Sequence, residues 1–280
     1  MDYFTLNNGV KIPSLGLGTF LLAPRDAENA VKSALENGYE LIDTANAYCN
    51  EIAVGKGIKE SGVPREKVFL STKLWPTVYE DDNAVDETLQ RLGVDYVDLL
   101  FIHQPAGNYI AGYKQLEKAY KEGKAKSIGI SNFHGEKLQK LLDAAEIKPQ
   151  VIQLEGHPYC TEDEIMNELK PYGTRMMAWY PLGHGDKTLV NQPIFTELAK
   201  KYGKSNQQIV LRWHTQFGNI VIPGSKNPDH IKANLDIFDF QLTDDEMAEI
   251  AKLNSGKKYY NATPEQEEAY ATMKADFWAD

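Results

Sequence analysis

The sequence predicts an α/β fold, a (β/α)8 or TIM barrel, with a small N-terminal β-hairpin ahead of it and a helical tail behind. Three observations lead there. Short apolar runs alternate with amphipathic segments along most of the chain, which implies parallel strands joined by helical crossovers. These strand–helix units recur roughly every 24 to 30 residues, and eight of them fit a chain of 280 residues. No GxGxxG follows an early strand, which disfavours the doubly wound sheet.

The elements follow in order. Residues 3–6 and 10–12 flank Asn7-Asn8-Gly9, whose residues tolerate positive φ, so a hairpin comes first. Residues 15–19, LGLGT, form the first barrel strand, where the glycines allow close backbone approach by a ligand or a packing neighbour. A helix over 26–36 has Ala27, Ala30, Val31, Ala34 and Leu35 at helical spacing and stops at Asn37-Gly38. Strand 39–43 follows, and Asn50 then caps a helix running to residue 59 with Ile52, Ala53 and Ile58 on one face.

The remaining strands fall at 68–73, 97–103, 125–131, 151–154, 175–179 and 220–223. Helices are expected at 83–92, 109–121, 135–145, 161–170, 194–202, 206–217 and 229–237. Beyond the barrel, Thr243 and Glu246 make a capping box for a helix over 243–253. A last helix over 264–277 ends in Phe277-Trp278, aromatics that should dock the tail on the body.

No linker-like stretch or shift in composition divides the chain, so residues 1–280 read as one domain. A formal charge of −10 and a pI of about 5.2 make the surface repel an extended phosphate backbone, so no nucleic-acid partner is expected. A compact phosphorylated cofactor needs only one local basic patch. Two cysteines, Cys49 and Cys160, do not make a disulfide scaffold and suit a reducing compartment. The start carries no signal-like pattern and no long apolar run is present, so a cytoplasmic protein with no membrane association is expected. The glycines around Lys56 lack the ending of a P-loop. His157 and Cys160 offer two ligands where a structural metal site needs about four, so no metal is expected.

In a parallel barrel all strand C-termini open on one face, with neighbouring strands about 4.8 Å apart. Strands two, three and four end at Asp43, Lys73 and His103, so three ionisable groups meet at one rim. A buried carboxylate needs a cation, and Lys73 is the candidate partner of Asp43. Tyr48 leaves strand two on a loop that can fold back over the pair. A free tyrosine has a pKa of about 10, and a nearby ammonium is expected to lower it, making Tyr48 an acid able to protonate a carbonyl oxygen. His103 would orient that carbonyl by donating a hydrogen bond. Taken singly, each residue has an ordinary structural reading; all four at one barrel mouth point to catalysis.

At this point the sequence resembles the aldo-keto reductase family over nearly its whole length. The matching segments are LGLGTF (15–20), GYELIDTANAY (38–48), STKLW (71–75), LLFIHQP (99–105), GISNF (129–133), QLEGHPY (153–159), AWYPLG (178–183) and IPGSKN (222–227). The resemblance implies a catalytic tetrad of Asp43, Tyr48, Lys73 and His103, with Tyr48 as general acid in reversible carbonyl reduction. It assigns the nicotinamide carboxamide to Ser131, Asn132 and Gln153, the ring face to Trp179, and the pyrophosphate to Leu182 and Gly183. Amide and hydroxyl side chains match a carboxamide's donors and acceptors, and an indole can cover one ring face.

For the adenosine end, the resemblance points to Ser225, Lys226, Asn227, His230 and Asn234. Gly224 and His230 stand where NADPH-specific members commonly carry lysine and arginine. NADPH is the expected cofactor, with use of NADH compatible with those two departures. Phe20, Trp75, Tyr79 and Trp278 are expected at an apolar mouth that accepts a small aldehyde or ketone, in a monomeric protein. Two other readings remain beside this one: a nicotinamide-binding regulatory subunit on the same barrel, and an isomerase or lyase using Lys73 as a Schiff-base amine.

Overall fold

The computed structural model describes residues 1–279. An antiparallel hairpin, β1 (Tyr3–Thr5) and β2 (Lys11–Pro13), precedes eight parallel strands. These are β3 (Leu17–Gly18), β4 (Leu41–Asp43), β5 (Phe69–Leu74), β6 (Leu99–Ile102), β7 (Ile128–Ser131), β8 (Val151–Glu155), β9 (Arg175–Trp179) and β10 (Ile220–Val221). They lie in sequence order in one sheet. Parallel bridges from Leu15 to Val221 and from Gly18 to Gly224 join the first strand to the last and close the ring. The Gly16 N–H donates to the Val221 carbonyl at 2.8 Å across that seam.

The helices are α1 (Pro24–Glu36), α2 (Glu51–Glu60), α3 (Ala84–Leu92), α4 (Tyr109–Lys121), α5 (Gly135–Ala144) and α6 (Asp163–Leu169). After them come α7 (Lys187–Val190), α8 (Pro193–Tyr202), α9 (Asn206–Phe217), α10 (Pro228–Leu235), α11 (Asp244–Ala251) and α12 (Pro264–Ala269). The capping boxes at Thr243 and Ser205 both form, each side chain accepting from the third backbone N–H while Glu246 or Gln208 reaches back.

Strand periodicity decides what each side chain faces. Ile42, Leu70, Leu100, Ile130, Ile152 and Ala178 point outward into the layer packed against the helices. Their sequence neighbours point into the barrel. Leu41, Phe69, Leu99, Val151, Met177 and Ile220 fill its N-terminal half, and Leu6 and Ile12 of the hairpin segment join that cluster. The next inward positions toward the strand C-termini are Asp43, Lys73, His103, Ser131, Gln153 and Trp179. Apolar filling below and polar groups above are thus one alternation continued around the ring.

Three local expectations need correction. Asn50 stands at the N-cap position just before α2 but makes no capping bond. Its side chain instead accepts from Thr44 Oγ1 at 2.9 Å and donates to the carbonyls of Thr19 and Leu22, both at 3.0 Å, tying the loop after β4 to the loop after β3. The helix expected over 161–170 begins at Asp163, after Glu162 adopts a left-handed conformation, and passes into a 3-10 turn at Lys170. The last helix ends at Ala269 instead of residue 277. Residues 270, 273 and 277 would share one face of a continuous helix, yet Tyr270 and Met273 line a cavity while Phe277 lies over Arg91.

Buried histidine gives the fold an acid sensitivity. His214 on α9 is fully buried, its Nε2–H donating to the Pro181 carbonyl at 3.1 Å and its Nδ1 accepting from the Asn219 amide at 3.3 Å. Burial lowers its pKa to about 3, against the weaker raising effect of the Pro181 carbonyl. The unfolded chain therefore binds a proton below pH of about 6.5 that the native state refuses, and stability falls as pH drops. The expected loss is about 1.4 kcal/mol per pH unit between the unfolded and folded pKa values. Urea unfolding at pH 6.5 and 4.5 checks this, because His214→Gln should flatten the dependence; an equal slope in variant and wild type would refute it.

Candidate active site

Asp43 ends β4 with 1% of its surface exposed and is held by three donors. Lys73 Nζ donates to Oδ2 at 2.6 Å, while Ser71 Oγ and Gln153 Nε2 donate to Oδ1 at 2.7 and 3.1 Å. Lys73, fully buried, also donates to the Thr44 carbonyl at 2.7 Å. A buried carboxylate and ammonium survive together only with this kind of mutual satisfaction. Lys73 has no surface to offer a substrate carbonyl, which leaves the Schiff-base reading without a reachable amine.

Tyr48 closes a 3-10 turn, Asn46–Tyr48, and Cys49 after it turns back with a left-handed φ of 53°. The ring sits with its centroid 4.9 Å from Lys73 Nζ, 5.6 Å from the His103 ring and 5.0 Å from the Phe20 ring. Its pKa lies well above the ordinary tyrosine value because burial dominates and Asp43 adds to it. The expected lowering by Lys73 is therefore corrected: the ammonium is already neutralised by Asp43 at 2.6 Å and has little field left for the phenol. The Tyr48 hydroxyl is protonated at neutral pH.

His103 follows β6, and its backbone N–H donates to the Leu74 carbonyl at 2.9 Å. Its pKa is well below the usual histidine range, first through burial and then through Lys73. The imidazole is neutral and still carries one N–H. Its Nδ1 is buried without a hydrogen-bond partner, an arrangement tolerated mainly where a further group is to be met.

Asp43, Tyr48 and His103 line a cavity of about 600 Å³, with Lys73 buried behind Asp43. Ser131, Asn132, Gln153 and Trp179 line one side of it. Asn132, at a φ of 65°, accepts from Trp179 Nε1 at 3.1 Å and donates to Gln104 Oε1 at 3.2 Å, which fixes the indole relative to the amide. Gln153 also donates toward Met177 Sδ at 2.9 Å. The cavity continues past Leu182 to Gly224 and Ser225. There the two end strands of the ring approach so closely that a Cβ on Gly224 would lie 3.1 Å from the Gly18 carbonyl oxygen.

Other expected positions fall elsewhere. Gly183 is buried behind the lining at a φ of 67°, where a Cβ would strike Leu189 at 2.5 Å, so its place is a turn requirement. Lys226 pairs with Asp26 at 3.2 Å on the surface, Asn227 caps α10 by accepting from Asp229 N at 2.9 Å, His230 is exposed, and Asn234 is buried on the same helix. None of these four lines the cavity; they flank its Ser225 end. Phe20 and Trp75 do line it. Tyr79 does not, because it is wholly buried with its hydroxyl donating to the Gln104 carbonyl at 2.9 Å and its ring packed where a Cβ on Gly112 would meet it. Trp278 is also absent from the mouth; it lies over the Arg91 guanidinium at 5.3 Å.

Sequence reasoning missed the walls made by the β9 loop and the tail. Tyr180 and His184 stack with centroids 4.1 Å apart, both at positive φ, and both line the cavity. Tyr260, Tyr270 and Met273 come from the tail. The tail is held there by Glu155 at the end of β8, which accepts from the backbone N–H of Tyr259 at 2.6 Å and of Tyr260 at 3.0 Å. The adjacent pair Tyr259-Tyr260 was the available signal, since tyrosines in a polar tail usually have a surface to cover. Among the described residues there is no group of three or more potential metal ligands and no helix long and apolar enough to cross a membrane.

The donor set suits a nicotinamide cofactor: hydroxyl and amide groups beside Asp43, an indole face, and a glycine-flanked channel leading to a helix N-terminus. Chemically, the site holds a neutral phenol and a neutral imidazole side by side above a satisfied ion pair, which fits proton donation to an oxygen placed between them.

Comparison with known proteins agrees on one family. The model of the Aldo/keto reductase family matches residues 14–255. The morphine 6-dehydrogenase of Pseudomonas putida is 41% identical over 268 residues, covering 90% of each chain. The glyoxal reductase of Bacillus subtilis is 43% identical over 262 residues, covering 92% of this chain and 94% of its own. Among solved structures, a Bombyx mori aldo-keto reductase in complex with NADP superposes with a TM-score of 0.86 at 34% identity, covering 93% of this chain and 95% of its own.

Proposed function

The chain belongs to the aldo/keto reductase family, and from that premise we propose that it is an NADPH-dependent reductase of uncharged, largely apolar aldehydes or ketones, with Tyr48 as general acid. The observation that carries this reading is the inward alternation that gathers Asp43, Lys73, His103, Ser131, Gln153 and Trp179 at one mouth, with Tyr48 folded over them. The cofactor supplies the hydride. Ser131, Asn132 and Gln153 would hold its carboxamide, Trp179 its ring, and Leu182, Ser225 and the N-terminus of α10 its phosphates.

The substrate oxygen sits where the Tyr48 hydroxyl and the His103 N–H converge. As the carbon gains hydride, the oxygen takes the Tyr48 proton and leaves as an alcohol; water returns a proton to the tyrosine. The high pKa of Tyr48 does not oppose this, because a forming alkoxide is more basic than a phenolate. The Asp43–Lys73 pair packs beneath the phenol, Lys73 Nζ lying 4.9 Å from its ring centroid, and keeps the ring in place.

The substrate class follows from the lining. Among the described residues it includes Phe20, Trp75, Tyr270 and Met273 but no lysine or arginine, and its one carboxylate, Asp43, is already paired. A carboxylated substrate would lose hydration without gaining a counter-ion. The test follows loss of reduced-nicotinamide absorbance with 4-formylbenzoate and its methyl ester, using NADPH and NADH in turn. The ester is expected to be better by about 10-fold or more in kcat/KM, the cost of roughly one poorly solvated charge. Equal turnover of the acid would overturn the substrate class, and cofactor binding with no reduction of any carbonyl would overturn the enzyme reading.

A further inference from the structure

Arg91, in the last turn of α3, is a buried cation outside the proposed mechanism. Its Nε donates to Glu51 Oε2 at 2.7 Å and its Nη2 to Thr88 Oγ1 at 2.8 Å, while Glu51 also accepts from Thr72 Oγ1 at 2.6 Å. The guanidinium is covered by two residues from the far end of the chain: its centre lies 5.6 Å from the Phe277 ring and 5.3 Å from the Trp278 ring. Only 1% of the Arg91 side chain remains exposed. A planar, weakly hydrated guanidinium gains from such aromatic cover in a way an ammonium does not.

The rest of the tail shows what this contact positions. Upstream, α12 is held by Lys137, whose Nζ lies 3.4 Å from Glu267 and 2.9 Å from Glu268. Between that anchor and Arg91 runs the segment that carries Tyr270, packed 5.1 Å from the Trp75 ring, and Met273, both lining the cavity. This wall is therefore a span fixed at two ends. Without the far anchor the span would be held at one end only, and a segment with so few fixed contacts opens locally.

We infer that Arg91 is a specificity-positioning residue: by seating Phe277 and Trp278 it stretches residues 270–276 across the cavity mouth and sets the grip on large substrates. It touches neither substrate nor cofactor and acts through Tyr270 and Met273. A large carbonyl that reaches the wall depends on the anchor; a small one held at Tyr48 and His103 does not. The kinetic consequence rests on the carbonyl-reductase reading, whereas the anchoring itself does not.

The test compares wild type with Phe277→Ala/Trp278→Ala, Arg91→Lys and Trp278→Phe. Arg91→Lys keeps a cation beside Glu51 but loses the planar stack, so it probes the anchor without leaving a buried carboxylate alone. With 2-naphthaldehyde, KM is expected to rise about 5- to 10-fold in the double variant and in Arg91→Lys, with kcat within about 2-fold, the scale of one desolvated cation–π contact. KM for propanal should stay constant, and Trp278→Phe should restore the wild-type values. Trypsin should cut after Lys274, exposed in the span, about 10-fold faster in the same two variants. Equal KM changes for both aldehydes, or unchanged KM, overturn the specificity role, and unchanged cleavage overturns the anchor. If no carbonyl is turned over, cleavage still decides the anchor while the proposed function fails.

Discussion

Tyr48→Phe should lower kcat for carbonyl reduction by about 10²- to 10⁴-fold, the usual contribution of a positioned general acid. The fold should survive the change. Among the described residues nothing hydrogen-bonds the Tyr48 hydroxyl, so its removal strands no buried partner, and the ring contacts with Phe20 and His103 remain. Cofactor affinity, read by fluorescence titration, is expected to change little because Ser131, Asn132, Gln153 and Trp179 are untouched. The pH profile supplies an independent reading. Tyr48 stays protonated and His103 stays neutral across the neutral range, since their pKa values are pushed upward and downward respectively. Reduction should thus lack the histidine inflection near pH of about 6.5 that an exposed imidazole would give. Turnover in Tyr48→Phe at the wild-type rate would end the tyrosine mechanism.

The second large effect concerns stability. Lys73→Met is expected to cost about 3–5 kcal/mol, because Asp43 would remain buried with its strongest donor gone. In a chain of this size that corresponds to a melting temperature lower by roughly 10 °C. Ser71 and Gln153 still donate to Asp43 Oδ1, so the carboxylate would be partly satisfied and the protein should fold, with low activity. The double variant Asp43→Asn/Lys73→Met removes both charges and should recover part of the loss. Chemical denaturation of the two variants provides the comparison; a double variant less stable than Lys73→Met would show that the charge is not what destabilises the single one.

The barrel and the centre of the site were legible because both follow from a period of two. Ile42 outward forces Asp43 inward, Thr72 outward forces Lys73 inward, and the same parity runs through Ser131 and Gln153. Tyr48 was legible for a related reason, since a short loop leaving β4 has few places to go. Parity cannot place residues on long connections. Tyr79 follows Trp75 closely in sequence, yet the 3-10 turn at Pro76–Val78 swings it into the core beside Gly112 while Trp75 faces the cavity. Trp278 was read correctly as a docking aromatic but at the wrong dock. Its partner Arg91 sits in the last turn of α3, where a cation is ordinary and carries no sign of an aromatic dock. Electrostatics was the other gap: adjacency suggested that Lys73 would acidify Tyr48, but only the contact distances show that Asp43 has claimed the ammonium first.

The seam at Gly18 and Gly224 carries a consequence for how the molecule assembles. Seven of the eight junctions in the ring join strands close in sequence, whereas this one joins Leu15 and Gly18 to Val221 and Gly224, far apart along the chain. Loop-closure entropy and contact order make such a pairing the late, slow event in folding. Gly18, Ile222 and Gly224 all line the cavity, so the ligand site straddles the last junction to form. An unclosed ring has no complete cavity, and an occupant bridging the two edges acts as a clasp that makes the final closure harder to reverse.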